Sequence, residues 1–205
     1  MSPMLAEEES KQGFQCGLLG EAVSLARRGD QYGLDGVRLR VVCVSDKIQA
    51  VIGVWLRGPR TFYVLRSPQM TNYPGVWSLP SIQFTAEELP EPTDVRAAKA
   101  VLQRMSDERF ERALVVGDIQ LLTSGWCDSN PTGKLVELYL YSFELPAIPA
   151  LQPRYYTDSA FLLPEEYVAR SAGARCGLCT RLWSEESYRT GLVAERFAPE
   201  PEHVW

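Results

Sequence analysis

The apolar residues of this chain change their spacing several times, and these changes limit the fold more than any other feature of the sequence. Between residues 18 and 26 they recur at helical spacing, whereas from residue 37 they alternate, as in a half-buried strand. Two β-rich runs at 49–56 and 61–65 then flank a Gly-Pro pair and predict a hairpin. Strands and helices mixed without regular alternation predict an α+β or αβα layered domain with a mixed sheet.

The second half of the chain continues this mixture. A proline-rich loop at 67–92 precedes a helix that runs to about Phe110, with Thr93 and Asp94 available to cap its first turn. The remaining predicted elements are strands at 114–122 and 135–143, a turn between them at 128–133, and a last helical region at about 164–190.

We expect three parts along the chain. Residues 1–36 are predicted to form a tail and an amphipathic helix, residues 37–170 the main domain, and residues 171–205 a C-terminal helix and tail packed on that domain. No internal repeat interrupts this order.

Composition and charge exclude several classes of function. The 205 residues carry a formal net charge of -5, and no segment concentrates Lys and Arg as nucleic-acid binding requires. No apolar run approaches the length of a membrane span, and the acidic N-terminus lacks the pattern of a secretion signal. Five cysteines, an odd number, favour reduced thiols. We therefore expect a cytoplasmic protein that binds neither nucleic acid nor membranes.

One stretch carries a family signal. Residues 77–80 read Trp-Ser-Leu-Pro; a β-rich run ending in Val64-Leu65-Arg66 precedes them, and an acidic loop and a capped helix containing Ala97-Ala98 follow. In this order the chain resembles the Nudix hydrolase superfamily, in which Trp-x-Leu-Pro-Gly-Gly leads into a box of the form G, five residues, E, seven residues, R-E-U-x-E-E-x-G-U, with U aliphatic. The resemblance covers about residues 37–170. It implies a Nudix-like αβα sandwich with a mixed sheet, to which this chain adds an N-terminal helix and a C-terminal helical extension.

The box departs from the family pattern at its glycines. Ser81 and Ile82 stand in their place, and a β-branched residue resists the backbone angles and the close approach to phosphate that glycine permits. Counted without gaps, the first box glutamate falls on Glu88. The positions of the later glutamates then hold Ala97, Ala100 and Val101.

A second register aligns the start of the helix, with Thr93 as the cap. It places Val101, Arg104 and Met105 at the glutamates, and we favour it because it caps the helix and turns Leu102 inward. The family's glutamates hold divalent cations against a diphosphate, and neither register supplies the carboxylates for that task. The sequence therefore predicts no metal site, with Mg²⁺ expected as a cofactor only if the chain is active.

Other acidic residues are the candidates for a relocated catalytic site, although solvated surface charge is the more common role of such residues. They lie in the loop before the helix and near the end of the helix: Glu87, Glu88, Asp107, Glu108 and Glu111. The candidate substrate-binding residues are Arg66, at a place where the family often carries a substrate-contacting arginine, and the aromatic residues Trp77 and Trp126, which could stack a base.

Two other features carry less weight. Cys176 and Cys179 have the spacing of a metal or redox pair, but a structural zinc site needs four ligands, so two small residues opening a helix is the favoured interpretation. The single histidine, His203, is third from the C-terminus, which argues against triad catalysis.

Three hypotheses about function stay open. The first is a divergent Nudix-like protein that binds a nucleoside-diphosphate-type small molecule without efficient metal-dependent hydrolysis. The second is an active Nudix hydrolase with relocated carboxylates, and the third is an interaction or scaffold protein without a small ligand. Fold alone does not decide among them. The sequence is also compatible with a homodimer.

Overall fold

The computed structural model describes residues 47–111, 114–127, 134–171 and 177–198, together with two short strands that pair with each other, β1 (Gly33–Leu34) and β2 (Val37–Arg38). Several features predicted from the sequence lie outside the described residues: the N-terminal helix, the turn at 128–133, Cys176 and His203.

Ten strands are found in the described part of the chain, and the eight after β2 form two sheets. The mixed sheet has the order β7 (Ser81–Phe84), β3 (Ile48–Val54), β9 (Val136–Ser142) and β8 (Gln120–Cys127). Strands β3 and β9 are parallel, and the other neighbours are antiparallel. The second sheet is antiparallel and has the order β10 (Tyr156–Leu162), β5 (Arg60–Arg66) and β4 (Leu56–Arg57), with β6 (Trp77–Ser78) also paired to β5.

Three helices complete the described structure: α1 (Val95–Arg109), α2 (Pro164–Ser171) and α3 (Leu178–Arg189). Helix α1 begins where Asp94 Oδ1 accepts a hydrogen bond of 2.9 Å from the Ala97 amide, so its N-cap is Asp94, not Thr93. None of the helices in the described ranges has both the length and the apolar character needed to cross a membrane.

The core has two halves, one on each side of β3. Val51 packs with the residues of α1, whereas its neighbours Ala50 and Ile52 pack with Trp183 of α3 on the opposite face. Because successive residues of a strand point to opposite faces, β3 is buried on both sides. This arrangement of helix, sheet and helix confirms the predicted α+β fold with a mixed sheet.

The predicted hairpin of 49–56 and 61–65 is only partly correct. Strands β3 and β5 belong to different sheets, and the hairpin is formed by β4 and β5 around Gly58, whose φ is +55°. The chain passes from one sheet to the other at Trp55, whose carbonyl oxygen accepts from the Phe62 amide at 2.8 Å. A run that is apolar throughout fits either sheet, so its periodicity does not reveal the crossing.

The predicted strand at 114–122 is wrong in its position, because β8 begins only at Gln120. Side chains of α1 bind the backbone before it: Ser106 Oγ donates to the Leu114 carbonyl at 2.9 Å, and Gln103 Oε1 accepts from the Val116 amide at 2.9 Å. The register between β8 and β9 also shifts between Leu121 and Thr123. Strand β10 has no counterpart among the sequence predictions.

Two glycines of the mixed sheet test this packing. A Cβ at Gly53 would lie 2.5 Å from a carbon of the Phe143 ring, which is buried in the core. Since the ring is packed within the core cluster, we expect Gly53→Ala to lower the free energy of unfolding by about 1–3 kcal/mol. At Gly125 the Cβ would also meet an atom at 2.5 Å, but that atom is the end of the flexible, half-buried Leu182 side chain.

Gly125→Ala is therefore the matched control, and we expect it to cost less than Gly53→Ala. Urea unfolding of the two variants beside the wild-type protein gives both free energies. Equal losses would contradict the rigid packing of Phe143.

Candidate functional site

The Trp-Ser-Leu-Pro stretch forms part of the core. Leu65 pairs with Trp77, and the Trp77 side chain is only 8% exposed. The Tyr167 hydroxyl donates to the Trp77 carbonyl at 3.5 Å, and the Arg170 guanidinium lies over the indole, 5.1 Å from its centroid. Trp77, a candidate for substrate binding, is thus surrounded by protein groups in this structure.

The two residues in place of the family glycines continue into a regular strand. Ile82 pairs with Val51 of β3 and is 3% exposed in the core, and neither Ser81 nor Ile82 has a positive φ. The Ser81 amide donates to the Tyr156 hydroxyl at 3.2 Å. The backbone here is paired and covered by a side chain, so it has no loop that could surround a phosphate.

Helix α1 turns an apolar face to the sheet at the positions where the favoured register expects metal ligands. Val101 is 3% exposed and Met105 is fully buried, both in the cluster that contains Phe84 and Tyr141. A hard divalent cation needs oxygen ligands and prefers to keep several waters. These residues do not fit such a site.

The third of these positions, Arg104, points away from the core and lies between two carboxylates. Its Nε is 2.9 Å from Glu88 Oε1, and its Nη1 is 3.2 Å from Glu108 Oε1. Its Nη2 donates to the carbonyl oxygen of Gln83 at 2.8 Å. Two of the acidic candidates therefore do converge on one cation, and that cation is a guanidinium.

This ion-pair cluster of Arg104, Glu88 and Glu108 is a surface feature. About a third or more of each side chain is exposed, so water screens the attraction and its contribution to stability is modest. Glu88 is also fixed by the Thr85 amide, which donates to Oε2 at 2.9 Å. The cluster thereby attaches the loop at 85–94 to the outer face of α1.

The other acidic candidates do not join this cluster. Asp107 Oδ1 accepts from Gln103 Nε2 at 2.8 Å, and Glu111 is exposed just beyond the end of α1. Glu87 is fully exposed, and hydrogen bonds from the Thr85 side chain and its own backbone lower its pKa. Within the described residues, no three Asp, Glu, His or Cys side chains come together as a metal site would require.

The remaining substrate-binding candidates have different surroundings. Arg66 Nε donates to the Asn72 carbonyl at 3.1 Å and so supports the loop that follows β5. Trp126, near the end of β8, is 64% exposed. Of the three candidates, Trp126 is therefore the side chain that leaves an aromatic face in contact with solvent.

Next to Trp126 lies a group of polar residues that sequence analysis missed. Trp126 is paired with Glu137 across β8 and β9, and Glu137 is paired with Gln49 of β3. Glu137 Oε2 accepts from Lys47 Nζ at 2.6 Å, from Gln49 Nε2 at 3.2 Å and from the Tyr139 hydroxyl at 2.8 Å. The alternation of residues in 135–143 is a signal that could have placed Glu137 and Tyr139 on one face, but the sequence holds no sign of their partners.

Burial and hydrogen bonding oppose each other in this group. Burial alone would raise the pKa of Glu137, but hydrogen bonds from Lys47, Tyr139 and Gln49 and the charge of Lys47 outweigh it, and the pKa is lowered. Burial and the nearby carboxylate raise the pKa of Tyr139 to about 12. Glu137 is therefore ionised and Tyr139 protonated near neutral pH.

A partly open pocket elsewhere in the described residues is small. It lies between Thr61, Trp183 and Phe197 and has a volume of about 20 Å³, room for about one water molecule.

Comparison with known proteins identifies the fold. No protein-family model matches the sequence, and no curated protein matches it. A NUDIX hydrolase from Alicyclobacillus acidocaldarius matches with a TM-score of 0.54 at 12% identity, covering 75% of this chain and 99% of the other. A NUDIX hydrolase from Nitrosomonas europaea matches with a TM-score of 0.51 at 16% identity, covering 75% and 93%. The chain therefore has the Nudix fold, as the resemblance around residues 77–80 implied.

Removing the guanidinium should create a weak cation site. In Arg104→Ala, the carboxylates of Glu88 and Glu108 and the carbonyl oxygen of Gln83 lose their shared partner and become available to a divalent ion. For a dissociation constant on the order of 1 mM, about 10 mM Mg²⁺ would stabilise this variant by about 1.4 kcal/mol. We expect a rise of a few degrees in its melting temperature, measured by circular dichroism with and without Mg²⁺.

Arg104→Lys, which retains a positive charge between the carboxylates, is the matched control, and neither it nor the wild-type protein should respond to Mg²⁺. A rise in the wild-type protein that Glu88→Gln or Glu108→Gln abolishes would show that the native site binds metal.

Restoring the family glutamates should disrupt the fold. The favoured register suggested that Val101→Glu, Arg104→Glu and Met105→Glu together would rebuild a metal site. Because Val101 and Met105 are buried, the triple variant places two carboxylates in an apolar core, at a cost of several kcal/mol each. We expect it to be unfolded by circular dichroism, whereas Arg104→Glu alone stays folded. A folded triple variant would contradict the core position of these residues.

Proposed function

We propose that this chain is a divergent Nudix-like protein that binds a nucleoside-diphosphate-type ligand and does not catalyse Mg²⁺-dependent hydrolysis. The observation that carries the proposal is the position of Arg104, whose guanidinium lies between Glu88 and Glu108. It supports the loss of the metal site, since a fixed organic cation there repels a divalent ion.

The chemistry of diphosphate hydrolysis explains why this exchange matters. A divalent cation polarises the phosphoryl group and generates a nucleophilic water at neutral pH. A guanidinium can compensate negative charge, but it has no open coordination position for a water molecule. The burial of Val101 and Met105 supports the same conclusion, because no alternative ligands replace them on that face of α1.

The proposed ligand binding rests on a part of the mixed sheet that the described helices leave uncovered. Helix α1 packs mainly on β7 and β3, and α3 packs on the opposite face of β8 and β9. The part of the mixed sheet around Trp126 and Glu137 thus keeps an aromatic ring and polar groups within reach of a ligand. An aromatic ring beside a few polar groups is typical of a small-molecule site, so these residues favour a small ligand over a scaffold role.

The alternative of an active hydrolase lacks a comparable observation. Of its candidate residues, Glu88 and Glu108 form ion pairs with Arg104, and Asp107 accepts a hydrogen bond from Gln103. We further propose that the protein acts in the cytoplasm, as its composition suggests.

ADP-ribose is a suitable probe for both halves of the proposal. We expect isothermal titration to give the same affinity for ADP-ribose in excess EDTA and in excess Mg²⁺, because no metal bridges protein and diphosphate. Chromatography of the incubated mixture should detect no release of AMP and ribose 5-phosphate. Glu88→Gln should leave the affinity for ADP-ribose unchanged, since the Glu88 carboxylate forms an ion pair with Arg104 and does not contact the ligand.

Two outcomes would contradict the proposal in different ways. Release of AMP that requires Mg²⁺ and is lost in Glu88→Gln would establish an active hydrolase with relocated carboxylates. Failure of ADP-ribose and other nucleoside diphosphates to bind under any condition would favour an interaction or scaffold protein.

A further inference from the structure

One part of the mixed sheet is covered on a single face. Gly125 of β8 faces α3, where its Cα lies against Leu182, so the next residue, Trp126, faces the opposite side. That side is the one on which α1 covers Val51 and Ile82 nearer the other edge of the sheet. Among the described helices, α1 lies mainly on β7 and β3 and leaves the Trp126 end of the sheet accessible.

The side chains at this end form a continuous row. Gln49, Glu137 and Trp126 occupy neighbouring positions on three adjacent strands, and Tyr139 lies two residues from Glu137 on the same face. Directly paired residues have their Cβ atoms about 5 Å apart. A flat group resting on the indole of Trp126 would therefore have its edge beside the Glu137 carboxylate.

The hydrogen bonds of Glu137 are unevenly distributed. The ammonium of Lys47, the amide of Gln49 and the hydroxyl of Tyr139 all donate to Oε2. The contacts of Glu137 within the described residues all reach Oε2, so an ionised carboxylate keeps Oε1 as an acceptor at the position paired with Trp126. Lys47 has three N–H groups and one described acceptor, so it can also donate to a ligand.

A single exposed tryptophan is ordinary on a protein surface. The combination here is more specific, because it offers a π-face together with one acceptor and one donor at its edge. A nucleobase has the complementary features: an aromatic face, and adjacent N–H and lone-pair groups along one edge.

We propose that Trp126 and Glu137 form the binding site for the nucleobase of a nucleotide ligand. The base stacks on the indole of Trp126, Glu137 Oε1 accepts an N–H of the base, and Lys47 donates to a neighbouring acceptor. Tyr139 and Gln49 are positioning residues, since they hold the carboxylate from the side of Oε2. This inference rests on the proposed function, because it assigns the base end of the same nucleoside-diphosphate ligand.

The test compares a ligand that has a base with one that lacks it. Isothermal titration gives the dissociation constants of ADP and of inorganic pyrophosphate for the 205-residue chain. We expect ADP to bind the wild-type protein at least about 10-fold more tightly than pyrophosphate, the effect of one stacked base. Trp126→Ala should remove this preference, Trp126→Phe should retain part of it, and Glu137→Gln should reduce it several-fold.

Tyr188→Ala is the matched control, because Tyr188 is another exposed aromatic residue but belongs to α3 on the far side of the sheet. It should bind ADP as the wild-type protein does. If ADP binds the wild-type protein more tightly than pyrophosphate, and Trp126→Ala and Glu137→Gln both keep that preference, the base lies elsewhere and only this inference fails. If the wild-type protein binds neither ADP nor ADP-ribose, the proposed function fails together with it.

Discussion

The need to bury one strand on both faces determines most of this structure. Strand β3 is paired by β7 on one side and by β9 on the other, and its residues Val51 and Ile52 are almost completely buried on opposite faces. Because both faces of the mixed sheet are apolar, each must be packed against another element, and α1 packs on one face and α3 on the other. The chain then leaves for the second sheet at Trp55, where rings from both sheets meet, Phe62 at 5.3 Å and Phe143 at 6.2 Å.

The same requirement explains the candidate site. The face of α1 that covers the sheet carries Val101 and Met105, so it contributes apolar contacts where a metal-binding helix would present carboxylates. The charged side chains of α1 lie on its outer face. There Arg104 forms ion pairs with Glu108 of the same helix and with Glu88 of the preceding loop. The apolar contacts of α1 and its ion pairs therefore lie on different faces of the helix.

Sequence patterns predicted those elements whose local signals agree with their final environment. Helix α1 has a capping residue, Asp94, and one apolar face, and β9 alternates clearly, so both were found with nearly correct bounds. The failures have physical reasons. The run at 49–56 is apolar on both sides and so conceals the change of sheet, whereas β10 carries Asp158 and Ser159 and so resembles a loop.

The candidate site was predictable only in part. The broken box led to the hypothesis that the metal ligands are absent, which depends on residue type alone and stays a prediction. The convergence of Glu88 with Glu108 depends on how the 85–94 loop folds onto α1, and the pairing of Trp126 with Glu137 depends on a register that shifts between Leu121 and Thr123.

The register shift in β8 has a further consequence. Among the described strands β8 lies at the edge of its sheet, and a register irregularity in an edge strand makes it a poorer template for pairing with a strand of another molecule.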